Sequence, residues 1–256
     1  MIHEQAIVHP EARIEEGVTI GPFSVIGPEV EIGRETWIGS HVVIHGPSRI
    51  GQRNRIFQFA SLGEEPQDKK YHGEKTWLEI GDGNVIREYC TFNRGTAAGG
   101  GITRVGNDNW IMAYVHIAHD CQVGNHTIFA NGASLAGHVQ VEDFAILGGF
   151  TLVSQFCTLG AHCFCAMGSV INKDVPPYLL VAGHMARPVG INSEGLRRRD
   201  FSQTRIDCLK RAFRWLYRSG LKQREALERL RDLSAECPEV ARLADFVEHS
   251  RQGIIR

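Results

Sequence analysis

The sequence predicts a mainly β protein: a parallel β-helix of three-sided coils over residues 1–190, then a small α-helical domain over 191–256. Three observations predict it. An aliphatic residue recurs at every sixth position. A small residue recurs four places after it. Beyond Pro176-Pro177 the six-residue spacing gives way to a helical one.

The first observation is the strongest. Ile2, Val8, Ile14, Ile20, Ile26, Ile32, Ile38, Ile44, Ile50, Ile56 and Leu62 form an unbroken run, which resumes at Ile80, Ile86 and Phe92. After a shift it continues from Val105 through Ile111, Ile117, Val123, Phe129, Leu135, Val141, Leu147, Val153, Leu159 and Cys165 to Ile171. Aliphatic residues make up roughly a quarter to a third of ordinary sequences, so chance does not produce such a run. A period of six fits neither a helix nor plainly alternating strands. It fits short strands joined by tight turns. Three strands close one coil, and coils stack at about 4.8 Å, so residues eighteen apart become neighbours.

The small residues explain how the corners close. Val18, Ser24, Val30, Thr36, Val42, Ser48 and Ala60 occupy the fourth place after each aliphatic residue, as a crowded corner requires. Cys90, Cys121, Cys157 and Cys163 fall in the same place, which makes them small core residues rather than redox or metal groups. Two polar or Gly-rich segments, 63–79 and 93–104, break the phase and are expected to loop out of the prism, where loops on a rigid scaffold carry function. In the C-terminal part Ser202 caps a helix running to about Ser219, a second is expected over 224–235, and Pro238 opens a third.

Bulk properties narrow the function classes. The chain has 256 residues and a net charge of −1, so no overall field draws it to nucleic acid or to a membrane. No apolar stretch approaches the ~18 residues of a membrane span, and the start Met1-Ile2-His3-Glu4-Gln5 has no secretory pattern; the expected location is the cytoplasm. Seven cysteines without a CxxC give neither a disulfide framework nor a zinc ribbon.

Chemistry is densest at His116-Ile117-Ala118-His119-Asp120. Counting by eighteen, His119, Gly137 and Gln155 form one column, and Asp120 lies a coil from His138. An imidazole takes a proton from an attacking hydroxyl, a carboxylate fixes its tautomer, and a glycine N–H stabilises an oxyanion. The set suits acyl transfer on one external face. No Ser or Cys nucleophile stands beside this histidine, which favours direct attack over an acyl-enzyme. His116, His119, His138 and His162 are also potential zinc ligands, but no strong ligand spacing is visible, so no metal and no cofactor are expected. A homotrimer burying a flat prism face from each subunit would place sites in the clefts between subunits.

The six-residue pattern resembles the hexapeptide-repeat transferases. From that resemblance comes the left hand of the helix, since parallel crossovers are otherwise right-handed. More narrowly, IGPFSVIGP, SHVVIHG, IFQFASLGEEPQDKKYHGE, IGDGNVIRE, HIAHDCQVGN, LAGHVQVEDFAILGG, KDVPPY and EGLRRRDFS resemble the UDP-N-acetylglucosamine O-acyltransferases of lipid A synthesis over nearly the whole chain. The resemblance implies transfer of an (R)-3-hydroxyacyl chain from acyl carrier protein to the sugar 3-hydroxyl. It implies His119 as general base, Asp120 as its orienter and Gly137 as oxyanion donor. Asp68, Lys70, His116, His138 and Gln155 would line the substrate site, with Arg198 and Arg199 near the nucleotide. Met167, below Gly149, resembles the family's acyl-chain ruler; a side chain where glycine leaves room implies a short, 3-hydroxydecanoyl donor. The basic residues of 197–218 imply a dock for the acidic carrier. Two positions depart from the family: Asn93 and Ser154 stand where it usually has histidine. The rival readings are a hexapeptide enzyme using acetyl- or succinyl-CoA, and a non-catalytic β-helix.

Overall fold

A computed structural model describes residues 1–256. The chain winds as a left-handed parallel β-helix with four C-terminal helices. Most strands are two residues long, ending on the aliphatic residue of each hexad, as in Ile7–Val8, His116–Ile117 and Ser134–Leu135. They stack into three sheets. The first face has nine strands, Ile7–Val8 to Val170–Ile171. The second has eight, Arg13–Ile14 to Thr158–Leu159. The third has ten, Thr19–Ile20 to the hairpin Leu179–Gly183 and Ala186–Ile191. Register follows the eighteen-residue coil: Ile7 pairs with Val25, His116 with Ser134 and Ile146 with Phe164. The aliphatic column is the core, with Ile20, Ile38, Ile56, Phe92, Phe129 and Leu147 all but sealed from solvent.

The two phase breaks lie where expected but loop out less. Ser61 pairs with Thr91, thirty residues on, and Thr91 with His116, twenty-five on. Trp77–Ile80 and Ile102–Val105 are already strands of the second face, so the parts outside the prism are shorter than 63–79 and 93–104. Each excursion's end has a backbone neighbour to pair with, which period counting does not reveal.

The corner between two faces is a tight turn whose third residue after the aliphatic one adopts positive φ: 59° at Phe23, 63° at Tyr114, 61° at Asp120, 62° at His138 and 65° at Phe156. Few side-chain-bearing residues take this conformation, yet it recurs coil after coil and lays these side chains in columns along each edge. The next place is buried. It holds the small residues and, between the second and third faces, a ladder of Asn54, Asn84 and Asn109 joined by amide hydrogen bonds of 2.9–3.0 Å. All seven cysteines are free and buried. Burial pushes the Cys90 and Cys121 thiols up to about 12, which keeps them as unreactive thiols.

Helix α1 (Ser193–Arg197) was not expected. It is capped by Asn192, which accepts from the Gly195 N–H. Helices α2 (Gln203–Tyr217), α3 (Gln223–Ser234) and α4 (Pro238–His249) match the expected three, with Ser202 as N-cap of α2 and Pro238 in the first turn of α4. Ile206, Leu209, Phe213, Leu230, Leu243 and Val247 form their shared core. No helix is long and apolar enough to cross a membrane.

Candidate active site

The site is built on the edge between the first and second faces. His119 precedes the corner residue Asp120, and the coil below returns at Gly137-His138. The His138 N–H donates to the His119 carbonyl at 3.0 Å, and the Phe156 N–H to that of Gly137 at 3.2 Å. His119, Gly137 and Gln155 therefore do stack one coil apart. A Cβ on Gly137 would lie 2.6 Å from Cε1 and 2.7 Å from Nε2 of His119. The imidazole occupies the space that only a glycine leaves. No group of the chain accepts the Gly137 N–H, so it is free to donate beside the imidazole.

His119 Nδ1 lies 2.8 Å from Asp120 Oδ2. A carboxylate only accepts, so Nδ1 carries the proton and Nε2 is left with its lone pair. Asp120 is not on the external face that the sequence implied. Its side chain is fully buried, because the second phase break folds over it. Thr96 donates to it twice, from its N–H at 2.8 Å and from Oγ1 at 2.7 Å. Thr103 Oγ1 accepts the Asp120 N–H at 2.7 Å. Gly99 permits the cover, since a Cβ there would meet the carboxylate at 2.1 Å. A buried carboxylate left without donors would cost several kcal/mol; here the loop supplies them.

His138 Nε2 is 3.7 Å from the same Asp120 oxygen. Its ring meets His119 edge-on at 5.1 Å and stacks on Phe156 at 4.5 Å. His116, on the first face, shares a hydrogen bond of 2.8 Å between Nδ1 and Thr91 Oγ1. Its pKa is lowered by burial, with the nearby His119 adding to the effect. Gln155 is exposed at the foot of the column and makes no hydrogen bond within the chain.

The remaining candidates lie elsewhere on the chain. Asp68 and Lys70 belong to the first excursion, where Asp68 Oδ1 accepts the Lys70 N–H at 3.0 Å. Asn93 and Arg94 hold that excursion in place: Asn93 Nδ2 donates to the Glu65 carbonyl, and Arg94 to the Gly63 carbonyl and the Tyr71 hydroxyl. Asn93, where a histidine was expected, is thus a buried anchor. Arg198 is exposed and paired with Glu194 at 3.1 Å, while Arg199 lies 5.0 Å over the Phe144 ring on the edge between the second and third faces. Met167 is 78% exposed on the edge between the third and first faces, with its Cγ 3.8 Å from where a Gly149 Cβ would be. The chain therefore assembles His116, His119, Asp120, Gly137, His138 and Gln155 along one edge. Met167 and Arg199 lie on its other two edges, and Arg198 stands beside Ile146, Phe164 and Leu180 of the third face. Thr96, Thr103 and Gly99 were missed. The signal for them was a carboxylate falling in a corner position one coil after a Gly-rich phase break, whose loop covers it.

A prism of hexapeptide coils with an unpaired N–H beside an oriented imidazole defines a hexapeptide-repeat transferase. A family described as bacterial transferase hexapeptide (six repeats) matches residues 102–137. Another, UDP N-acetylglucosamine O-acyltransferase, domain 2, matches 174–255. Two relatives named acyl-(acyl-carrier-protein)–UDP-N-acetylglucosamine O-acyltransferase are 59% identical, from Alkalilimnicola ehrlichii, and 57% identical, from Thiobacillus denitrificans; each alignment covers 100% of this chain and 99% of the relative. The solved UDP-N-acetylglucosamine acyltransferase of Francisella novicida superposes with a TM-score of 0.97 at 45% identity, covering 100% of this chain and 94% of that one. The Arabidopsis enzyme gives 0.89 at 35% identity, with both chains covered fully. The chain belongs to the UDP-N-acetylglucosamine O-acyltransferase family.

Proposed function

We propose that the protein transfers an (R)-3-hydroxyacyl chain from acyl carrier protein to the 3-hydroxyl of UDP-N-acetylglucosamine, the first step of lipid A synthesis. The observation that carries the chemistry is the His119 imidazole lying over Gly137 with Nδ1 held by a buried carboxylate. Nε2 takes the proton of the sugar hydroxyl as its oxygen attacks the thioester carbonyl. The Gly137 N–H donates to the developing oxyanion, an effect worth on the order of 3 kcal/mol. When the tetrahedral intermediate collapses, the carbon–sulfur bond breaks and the imidazolium returns its proton to the carrier's sulfur. Proton and acyl group balance with no cofactor. Burial favours the neutral form of His116, which suits a hydrogen-bonding role toward the sugar or acyl group beside the base.

The full site is formed between copies of the chain in a cytoplasmic homotrimer. The three faces differ in what they present. The second face carries an exposed ladder of Arg13, Glu31, Arg49, Glu79 and Arg104, with ion pairs of 3.0–3.4 Å. Such pairs are worth little and are content in water. The third and first faces and the edge between them expose Trp37, Trp110, Leu152, Phe23, Phe59, Tyr89, Tyr114 and Phe150. A contiguous apolar surface of that kind marks an interface. Threefold packing along that edge places the first face of one subunit against the third face of the next. Arg199 of one copy, with Arg198 beside it, then approaches the His119 edge of another, Met167 stands at the inner, axial end of the cleft between them, and Asp68 and Lys70 complete the substrate-binding wall. The cations of the basic segment that lack a carboxylate partner are Arg199, Arg211, Arg214 and Arg218; they make the dock for the acidic carrier.

A panel of 3-hydroxyacyl carrier proteins of different chain lengths with UDP-N-acetylglucosamine tests this reading. The expected product is the 3-O-acyl sugar nucleotide, formed fastest from the 3-hydroxydecanoyl donor, and a Met167→Gly variant is expected to prefer longer chains. No product from any donor would refute the function. An unchanged chain preference in Met167→Gly would refute the ruler alone.

A further inference from the structure

The carboxylate that orients the base also joins it to a second imidazole. His119 Nδ1, Asp120 Oδ2 and His138 Nε2 all lie within 4.8 Å of one another, with Oδ2 at 2.8 Å from the first nitrogen and 3.7 Å from the second. Two ligands held about 2.0–2.1 Å from a tetrahedral zinc ion stand roughly 3.3 Å apart. The two observed separations fall on either side of that value, and the two imidazole nitrogens lie within 4.8 Å of each other, so side-chain rotations that draw the nitrogens together by up to about 1.5 Å would admit an ion. Two imidazoles and a carboxylate with a fourth position open form a donor set that zinc and cobalt accept.

Access is past His138, since the Asp120 carboxylate itself is fully buried. Asp120 and His138 line a cleft of about 980 Å³, bounded on its far side by Arg242, Asp245 and His249 of α4, and the His138 side chain is 26% exposed. The thiols do not compete, because every cysteine is buried. The other histidine–carboxylate pairs, His45 with Glu64 and His126 with Asp108, lack a third ligand.

We propose that His119, Asp120 and His138 form an inhibitory transition-metal site, one that switches the base off from behind. This rests on the reading of His119 as the base. In the metal-free protein the single proton of the neutral ring sits on Nδ1, facing Asp120, and Nε2 is free. An ion bound at Nδ1 transfers that proton to Nε2. The ring stays neutral, no proton is gained or lost, and the atom that must accept the sugar proton becomes a donor. The ion lies on the Asp120 side of the ring and leaves the Gly137 side open. Inhibition therefore lowers kcat more than it raises KM for the sugar nucleotide, the rise in KM coming only from ligation of His138.

The test is a titration of the metal-free, full-length protein with zinc, followed by calorimetry, and with cobalt, followed by its visible spectrum, alongside the transfer assay. We expect one ion per chain, a four-coordinate cobalt spectrum, and kcat falling in proportion to occupancy and restored by a chelator. His138→Asn and Asp120→Asn, each checked for folding by thermal melting, are expected to weaken binding at least tenfold. Absence of stoichiometric binding up to about millimolar metal, binding that survives both variants, or full turnover with the site occupied would each overturn the proposal. Calorimetry and the cobalt spectrum do not depend on turnover. A metal-free protein that transfers no acyl group would therefore count against the function and not against the site.

Discussion

The two edges that bound the first face share one backbone and differ in everything it presents. On the edge with the third face, Phe59, Tyr89 and Tyr114 stack at 5.1 and 4.8 Å and stay exposed. On the edge with the second face, the same positive-φ position holds Asp120, His138 and Phe156, and a loop covers the first of them. The turn supplies only a place to stack side chains along the fibre-like axis. A bare column of exposed rings is, on the proposed reading, a surface for another copy of the chain. A column holding a carboxylate, with a loop that brings it hydrogen-bond donors, is on the same reading a place for proton transfer. The 93–104 segment separates the two outcomes, because Thr96 exists only on that side.

Breaking the covered edge gives the largest expected effect. Asp120→Asn replaces an acceptor with an amide that can donate, which allows the proton to sit on Nε2; a loss in kcat on the order of 10³–10⁴ is expected, read in the transfer assay with thermal melting as a folding control. Thr96→Val keeps the backbone donor and removes the hydroxyl. About a tenfold fall in kcat with little change in KM is expected, and Thr96→Ser should recover it. A Thr96→Val enzyme as fast as the parent would show that the loop merely covers the carboxylate.

The third edge gives the smallest effect, one of stability. His162 lies between the Phe144 and Tyr178 rings, at 4.8 and 5.7 Å, and burial, reinforced by Arg199 and Arg242, holds its pKa down at about 4. Above pH 6.5 the ring is neutral both folded and unfolded. As pH falls from 6.5 toward 4, only the unfolded chain takes up the proton, so stability is lost across that window, at most about 1.4 kcal/mol per pH unit and less for a partly exposed ring. The melting temperature should drop by a few degrees there, at about 2–4 °C per kcal/mol. His162→Phe should flatten that drop; an identical slope in the variant would remove His162 as its cause.

The prism was legible because its signal is one-dimensional. A fixed period with an aliphatic residue such as Ile38 or Leu135 at each step specifies the core and stacks His119 on Gly137 by counting alone. The loops broke that counting. Nothing in the spacing says that Trp77–Ile80 and Ile102–Val105 rejoin the second face before the period resumes, or that Thr96 turns back onto Asp120. Those contacts depend on where a non-periodic segment closes. The left hand came from the family pattern, since repeat spacing is the same for either hand. The two missing histidines had different meanings: Asn93 carries the first excursion's backbone, while Ser154 simply begins an exposed turn.

Gly137→Ala tests the central claim most directly, because the added methyl enters the space that the His119 ring occupies and alters no charge or hydrogen-bonding group. With melting behaviour close to the parent's, we expect kcat to fall about 10²-fold, as for a reacting group displaced by an ångström. A Gly137→Ala protein that turns over at the parental rate would contradict the assignment of this column as the place of acyl transfer.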